Sequence, residues 1–208
     1  FSVYYEGSYQ RYSLNKYEMY QFLFKNGTAN LATLSARITR FSAGPNTIFP
    51  RTGSTFSLSL QATPPYSAIS GKNFAGASDE EKYRWIEFYK AVFKADYYMP
   101  LDNEQKLILN AKAAFGYLGF YNKDIGPSPF ENFYLGGDGM TGYSFSGREV
   151  IALRGYTNGS LTPTITKIEE DGTLRSVESG NVYSKLTMEL RYPISLNPQA
   201  TIYALAFL

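Results

Sequence analysis

The chain has 208 residues, 20 basic against 18 acidic, a net charge of +2, and neither cysteine nor histidine. Without cysteine there is no disulfide framework, thiolate zinc site or sulfur nucleophile, and without histidine there is no Ser-His-Asp chemistry within the chain. The near-balance of charge supplies no field for gripping nucleic acid. The longest apolar run, Ile202 to Leu208, is far shorter than the roughly 20 residues of a spanning helix. What stands out is aromatic content, with 19 Tyr and 15 Phe.

Taken in chain order, the apolar residues recur with a period of two. The opening Phe-Ser-Val-Tyr-Tyr lacks the basic and apolar regions of a leader, and no Met precedes it, so an internal segment is expected. From Ser54 to Ala62, Phe56, Leu58 and Leu60 alternate with Ser57, Ser59 and Gln61. Asp79 to Trp85 is charged and free of Gly and Pro, so a short helical or irregular turn is expected there, within a long connection from Pro64 to Tyr83. From Tyr89 to Met99 the apolar parity holds Tyr89, Ala91, Phe93, Ala95, Tyr97 and Met99, against Lys90, Lys94 and Asp96. Gln105 to Tyr121 and Val182 to Tyr192 repeat the pattern, the latter placing Leu186, Met188 and Leu190 opposite Lys185, Glu189 and Arg191. Such alternation is the mark of strands with one apolar and one polar face. Dense turn chemistry, including Asn26-Gly27, Pro64-Pro65, Asp102-Asn103 and Gly136-Gly137, divides the chain into eight or nine strand candidates joined up-and-down and antiparallel.

Alternation alone admits a soluble barrel or sandwich with the apolar face inside, or a membrane barrel with that face in lipid. Segments of ten residues or more suit a membrane strand of about 9–11 tilted residues better than a globular one of about 5–6. The apolar faces also end in aromatics (Tyr89, Tyr97, Tyr117, Tyr121, Tyr192), as interfacial girdles require. These features favour an all-β, antiparallel up-and-down transmembrane β-barrel over the soluble arrangement.

Several short motifs carry no chemistry. Gly137 to Gly142 satisfies G-x-G-x-x-G, but Tyr143-Ser144-Phe145-Ser146-Gly147 follows where a dinucleotide site needs a helix. Asp79-Glu80-Glu81 and Glu169-Glu170-Asp171 lack the alternating ligand spacing of a calcium loop, and Ser144 and Ser146 lack both the nucleophile-elbow spacing and an activating base. No catalytic residue, metal or cofactor is expected.

One segment, Pro127 to Tyr156, carries a resemblance. Phe130-Glu131-Asn132-Phe133-Tyr134-Leu135-Gly136-Gly137 followed by Leu153-Arg154-Gly155-Tyr156 resembles the signature of the BamA-type outer-membrane assembly barrels. Ile48-Phe49-Pro50-Arg51-Thr52-Gly53-Ser54 resembles that family's turn between two strands, and Tyr97 to Leu101 and Leu190 to Ile194 resemble its strand-ending aromatic-x-Pro pattern. The resemblance implies that residues 1–208 are part of one barrel of about sixteen strands, roughly half of it, with a loop around 136–180 folded into the lumen. Periplasmic POTRA repeats before Phe1 and the last strands would then lie outside this chain.

The resemblance further implies that Leu153, Arg154, Gly155 and Tyr156 form the loop motif, preceded by Phe133, Gly136 and Gly137, and that Glu189 receives Arg154. In that reading Gly155 allows close backbone approach and Tyr156 packs beside it. The implied function is non-enzymatic: insertion of nascent β-barrel proteins into the bacterial outer membrane, with those proteins, accessory lipoproteins and the lipid bilayer as partners and no nucleic acid. Two alternatives stand beside it, a related two-partner secretion transporter and a passive porin or ligand-binding barrel.

Overall fold

The computed structural model describes residues 1–15, 24, 26–138, 149–168 and 174–207. Its framework is a seven-stranded antiparallel sheet in the order β1 (Ser2–Leu14), β2 (Gly27–Phe41), β3 (Gly53–Ala62), β4 (Tyr89–Pro100), β5 (Ile108–Gly119), β10 (Val182–Asn197) and β11 (Ala200–Phe207). Between β3 and β4 lie two short helices, α1 (Tyr66–Ser70) and α2 (Asp79–Lys82). Between β5 and β10 lie β6 (Phe133–Leu135), β7 (Glu149–Ile151), β8 (Thr164–Ile168) and β9 (Leu174–Glu178). The up-and-down order follows from connection length, since antiparallel neighbours need only a turn. The β6–β7 pair is parallel, a departure from the expected all-antiparallel arrangement, and it lies off the main sheet.

The face assignment is inverted relative to a soluble sheet. On β10, Val182, Leu186, Met188, Leu190 and Tyr192 are exposed, whereas Tyr183 and Arg191 between them are buried. On β4, Tyr89, Phe93, Tyr97 and Met99 are exposed and Lys90 is buried. Leu186 at 75% exposure against Lys90 at 6% decides the matter: the apolar face looks outward. A large apolar face left open in this way belongs against hydrocarbon.

Register carries the inversion across the whole sheet. Across β1 to β5, β10 and β11, the outward positions of the described residues carry charge at Arg11 and Arg40 alone. Arg11 pairs with Asn30, and Arg40 lies ten residues further along the same strand as Asn30. Ten residues at about 3.3 Å, tilted about 40°, rise roughly 25 Å, the height of the apolar band on a membrane barrel. The outward charges thus mark the two edges of that band. The aromatics gather near the same edges. Tyr89 packs against Tyr117 and Tyr121 at ring separations of 6.0 and 5.3 Å towards one end, while Tyr97 and Tyr192 lie towards the other.

The two ends differ in their connections. Residues 42–52, 101–107 and 198–199 are short turns at one end, and residues 63–88 and 120–181 are long connections at the other. Barrels of this kind keep short turns on the periplasmic side and long loops outside. The β4–β5 turn is longer than the alternation suggested, because Asp102 Oδ1 accepts the amides of Lys106 and Leu107 at 2.9 Å and holds Gln105 to Leu107 out of β5. Expected helicity at Asp79 is realised in α2, where Ser78 caps the amide of Glu81. The buried core lies on the inward side at the long-loop end, where Phe24, Leu31, Tyr83, Ile86, Phe88, Leu118, Phe130 and Phe133 meet. Burial, with the carboxylate of Asp79 adding to it, pushes the Tyr83 phenol up to about 12.

Candidate functional site

β5 and β10 are hydrogen-bonded neighbours, so residues 120–181 form an insertion that must leave the wall and return beside its own start. Its packing begins earlier than the expected 136, with Ile125 and Phe130 already in the inward core. Tyr12 of β1 stacks on Phe130 at 4.6 Å, bringing the loop across the concave side. A glycine on the wall makes the seat. At Gly116 a Cβ would meet the Tyr183 ring at 2.2 Å and Phe133 at 2.8 Å. Tyr183 therefore lies flat across β5, and Phe133 packs edge-on against it at 4.8 Å.

The two sequence motifs meet through their backbones. The amide of Gly137 donates to Tyr156 O at 3.0 Å, and the amide of Leu153 donates back to Gly137 O at 2.8 Å. Gly136 donates to Ile151 O at 3.0 Å, next to the β6–β7 pair that starts from Phe133 and Glu149. Gly137 has φ +97°, and a Cβ there would fall 1.8 Å from Asn158 Oδ1, so both conformation and space demand glycine. Phe133, Gly136, Gly137, Leu153 and Tyr156 are thus one constellation.

Gly155 differs from the expectation. Among the described residues nothing lies within 4 Å of its Cβ position; at φ +87° it supplies a left-handed turn rather than a close backbone approach to any of them. Tyr156 is likewise exposed rather than packed beside it.

The expected Arg154–Glu189 pair takes another form. Both residues line one cavity of about 320 Å³, together with Lys112, Lys185 and Phe207. Within it, Glu189 Oε1 accepts from Lys112 Nζ at 2.7 Å and Glu189 Oε2 accepts from Arg191 Nε at 2.9 Å. Arg154 is exposed, and its guanidinium lies over the Phe207 ring at 5.1 Å. Sequence parity put Glu189 on the inward face correctly. It could not rank the cations there, and the cations on and beside its own strand are nearer.

What holds the loop down is a residue that motif reasoning passed over. Lys90, 6% exposed, reaches Glu149 Oε2 at 3.1 Å and Glu131 Oε2 at 3.5 Å, donates to Glu131 O at 3.2 Å, and lies 4.7 Å from the Phe133 ring centroid. Glu131 precedes β6 and Glu149 opens β7, so one ammonium ties both arms of the loop to β4. Lys94, two inward positions along, reaches Glu149 Oε1 at 3.6 Å. On β10, Lys185 donates to Ala152 O. The signal was available: Lys90 is the inward position of β4 nearest the long-loop end, and a buried ammonium needs carboxylates. Ser144, Ser146, the acidic run 169–171 and most of the G-x-G-x-x-G stretch lie outside the described residues.

These features define a class: the wall of an outer-membrane β-barrel, with a long loop folded onto its inner face. The chain belongs to the Omp85 superfamily, whose domain profile matches residues 1–208. Among solved structures it is similar to BamA from Haemophilus ducreyi lacking POTRA domains 1–3, with a TM-score of 0.59 and 22% sequence identity over 86% of this chain. The chain spans 29% of the length of that protein, and the likeness is one of fold.

Proposed function

We propose that the protein inserts nascent β-barrel proteins into the bacterial outer membrane, as the central barrel of an assembly machinery, and that it does so without covalent chemistry. The reading rests on superfamily membership, and the observation that carries it is the docked loop, in which Gly137 joins the two motifs by backbone hydrogen bonds. A passive porin needs an open lumen. Here the concave side is occupied by aromatic packing of Tyr12, Phe130, Phe133 and Tyr183, which favours a working part over a conduit.

The mechanism is one of shared hydrogen bonds. A strand in hydrocarbon must have every backbone group paired, so a nascent barrel needs a template edge until it closes on itself. A rigid wall with a loop fixed inside keeps the lumen from collapsing while that exchange proceeds. Substrate barrels and accessory lipoproteins are the partners this reading implies.

Depletion of the protein from its source bacterium tests it. Loss of several unrelated outer-membrane barrels is the expected result. Unchanged barrel levels with loss of one secreted protein would instead establish the secretion transporter, and unchanged levels with altered solute uptake would establish the porin.

A further inference from the structure

The lipid-facing side of the wall carries a second built feature at its long-loop edge. Arg84-Trp85-Ile86 extends the sheet beyond the end of β3: Asn30 N donates to Arg84 O at 3.0 Å, Ile86 N donates to Asn30 O at 2.9 Å, and a parallel bridge joins Trp85 to Asn30. The bridge sets Trp85 on the outward face in the same row as Asn30 and Arg11. Tyr9, one outward position below Arg11, donates to Asn30 Oδ1 at 2.9 Å, and Asn30 Nδ2 donates to Arg84 O at 3.0 Å. Tyr66 of α1 packs on Trp85 with ring centroids 4.7 Å apart.

Two cavities open on this row and share Arg84. One, of about 680 Å³, is lined by Arg11, Arg84, Asn30 and Thr28, with Glu80 and Glu81 on its wall. The other, of about 360 Å³, is lined by Tyr66 and Trp85 and by Ser70, Lys72, Asn73 and Lys82. Glu87 also borders it, 3% exposed, and its two oxygens are engaged by the amide and hydroxyl of Ser67 at 2.9 and 2.7 Å. Arg11 and Arg84 are exposed.

We propose that this edge binds the phosphorylated saccharide headgroup of a glycolipid in the outer leaflet. Three properties converge on that chemistry. The row stands at the upper limit of the apolar band, about 25 Å from Arg40, where a headgroup rather than an acyl chain meets the wall. Arg11 and Arg84 offer guanidinium forks, the geometry that matches phosphate oxygens. The Tyr66–Trp85 platform, rimmed by Asn73, Ser70 and the carboxylate of Glu81, suits a sugar ring with hydroxyls to donate. Acidic and basic groups together fit a phosphorylated sugar better than a bare anion.

The site rests on the outer-membrane reading but not on assembly activity, so its failure and that of the proposed function are distinguishable. The test uses the full-length protein in detergent, with binding of bis-phosphorylated lipid A followed by native mass spectrometry. The paired variant Arg11→Gln with Arg84→Gln is expected to weaken binding at least tenfold. Arg40→Gln, at the opposite edge, is expected to leave it unchanged, as is wild-type folding measured by heat-modifiable gel mobility in both variants. Dephosphorylated lipid A is expected to bind at least tenfold more weakly than the parent lipid. Equal binding by the paired variant, or equal binding of the dephosphorylated lipid, would overturn the proposal. Displacement of lipid A by millimolar inorganic phosphate would also overturn it, by showing a free-anion site.

Discussion

Replacing Lys90 with Met keeps the length of the side chain and its packing on Phe133 but removes the ammonium between Glu131 and Glu149. Breaking a buried ion pair by deleting one partner costs about 3–5 kcal/mol. Here the two carboxylates are 21% and 28% exposed and Lys94 stays within 3.6 Å of Glu149, so solvent and a second cation offset part of that loss. About 2 kcal/mol remains, which is roughly a 30-fold change in the equilibrium between docked and undocked loop. Hydrogen exchange on the full-length protein in detergent reads it directly. The amides of Gly137 and Leu153, which bond across the two motifs, should lose protection by about that factor, while β3 and the short-turn half of β4 keep theirs. Protection at Gly137 and Leu153 equal to wild type would refute Lys90 as the anchor. Equal loss throughout the wall would refute a local role for it.

Further outcomes follow from the same geometry. Gly137→Ala meets both the +97° φ and Asn158, and should cost at least about 1–3 kcal/mol, releasing the loop to protease; Gly155→Ala, strained but unobstructed, should cost less in the same assay. Gly116→Ala drives a methyl into the Tyr183 ring and should expose Phe133, read as quenching of a label placed on the loop; an unchanged signal would discount the seat. A double-mutant cycle on Glu189 and Arg191 should return about 0.5–3 kcal/mol of coupling, and one on Arg154 and Glu189 less than that; the reverse order would restore the expected pair. Tyr83 is neutral in the folded loop and its phenol is raised from 10.0 to about 12, so its stabilising contribution is complete below pH 10 and is lost as pH rises through 12. The tyrosinate absorbance removed by Tyr83→Phe should therefore have its midpoint near pH 12, and a midpoint near 10 would show the ring exposed.

The strand framework was readable because a period of two leaves a strand only two faces, and β3, β4, β5 and β10 fall where Phe56, Tyr97, Phe115 and Leu186 place them. Which face meets lipid needed the exposure of Leu186 set against the burial of Lys90. The start of β5 escaped because one carboxylate, Asp102, holds Gln105 to Leu107 in a turn that alternation does not register. At the site, the glycine pair and the Leu153–Tyr156 motif were visible as a resemblance, but their contact depends on residues brought together by the fold. The same limit explains Glu189. Its face was fixed by parity, whereas its partners were decided by Lys112 on the neighbouring strand and Arg191 two residues along.

The direct pairing of β5 with β10 has a consequence for how such a wall tolerates change. The turn at 101–107 and the insertion at 120–181 both close a junction between adjacent antiparallel strands, one with seven residues and the other with nearly nine times as many. Chain-closure entropy grows only with the logarithm of length, so the longer connection costs about 2 kcal/mol more than the shorter. A few of the hydrogen bonds between β5 and β10 offset that amount. The inner loop is thus a light entropic burden on its host, and its length away from the docking contacts is free to change provided the two strands that frame it keep their register.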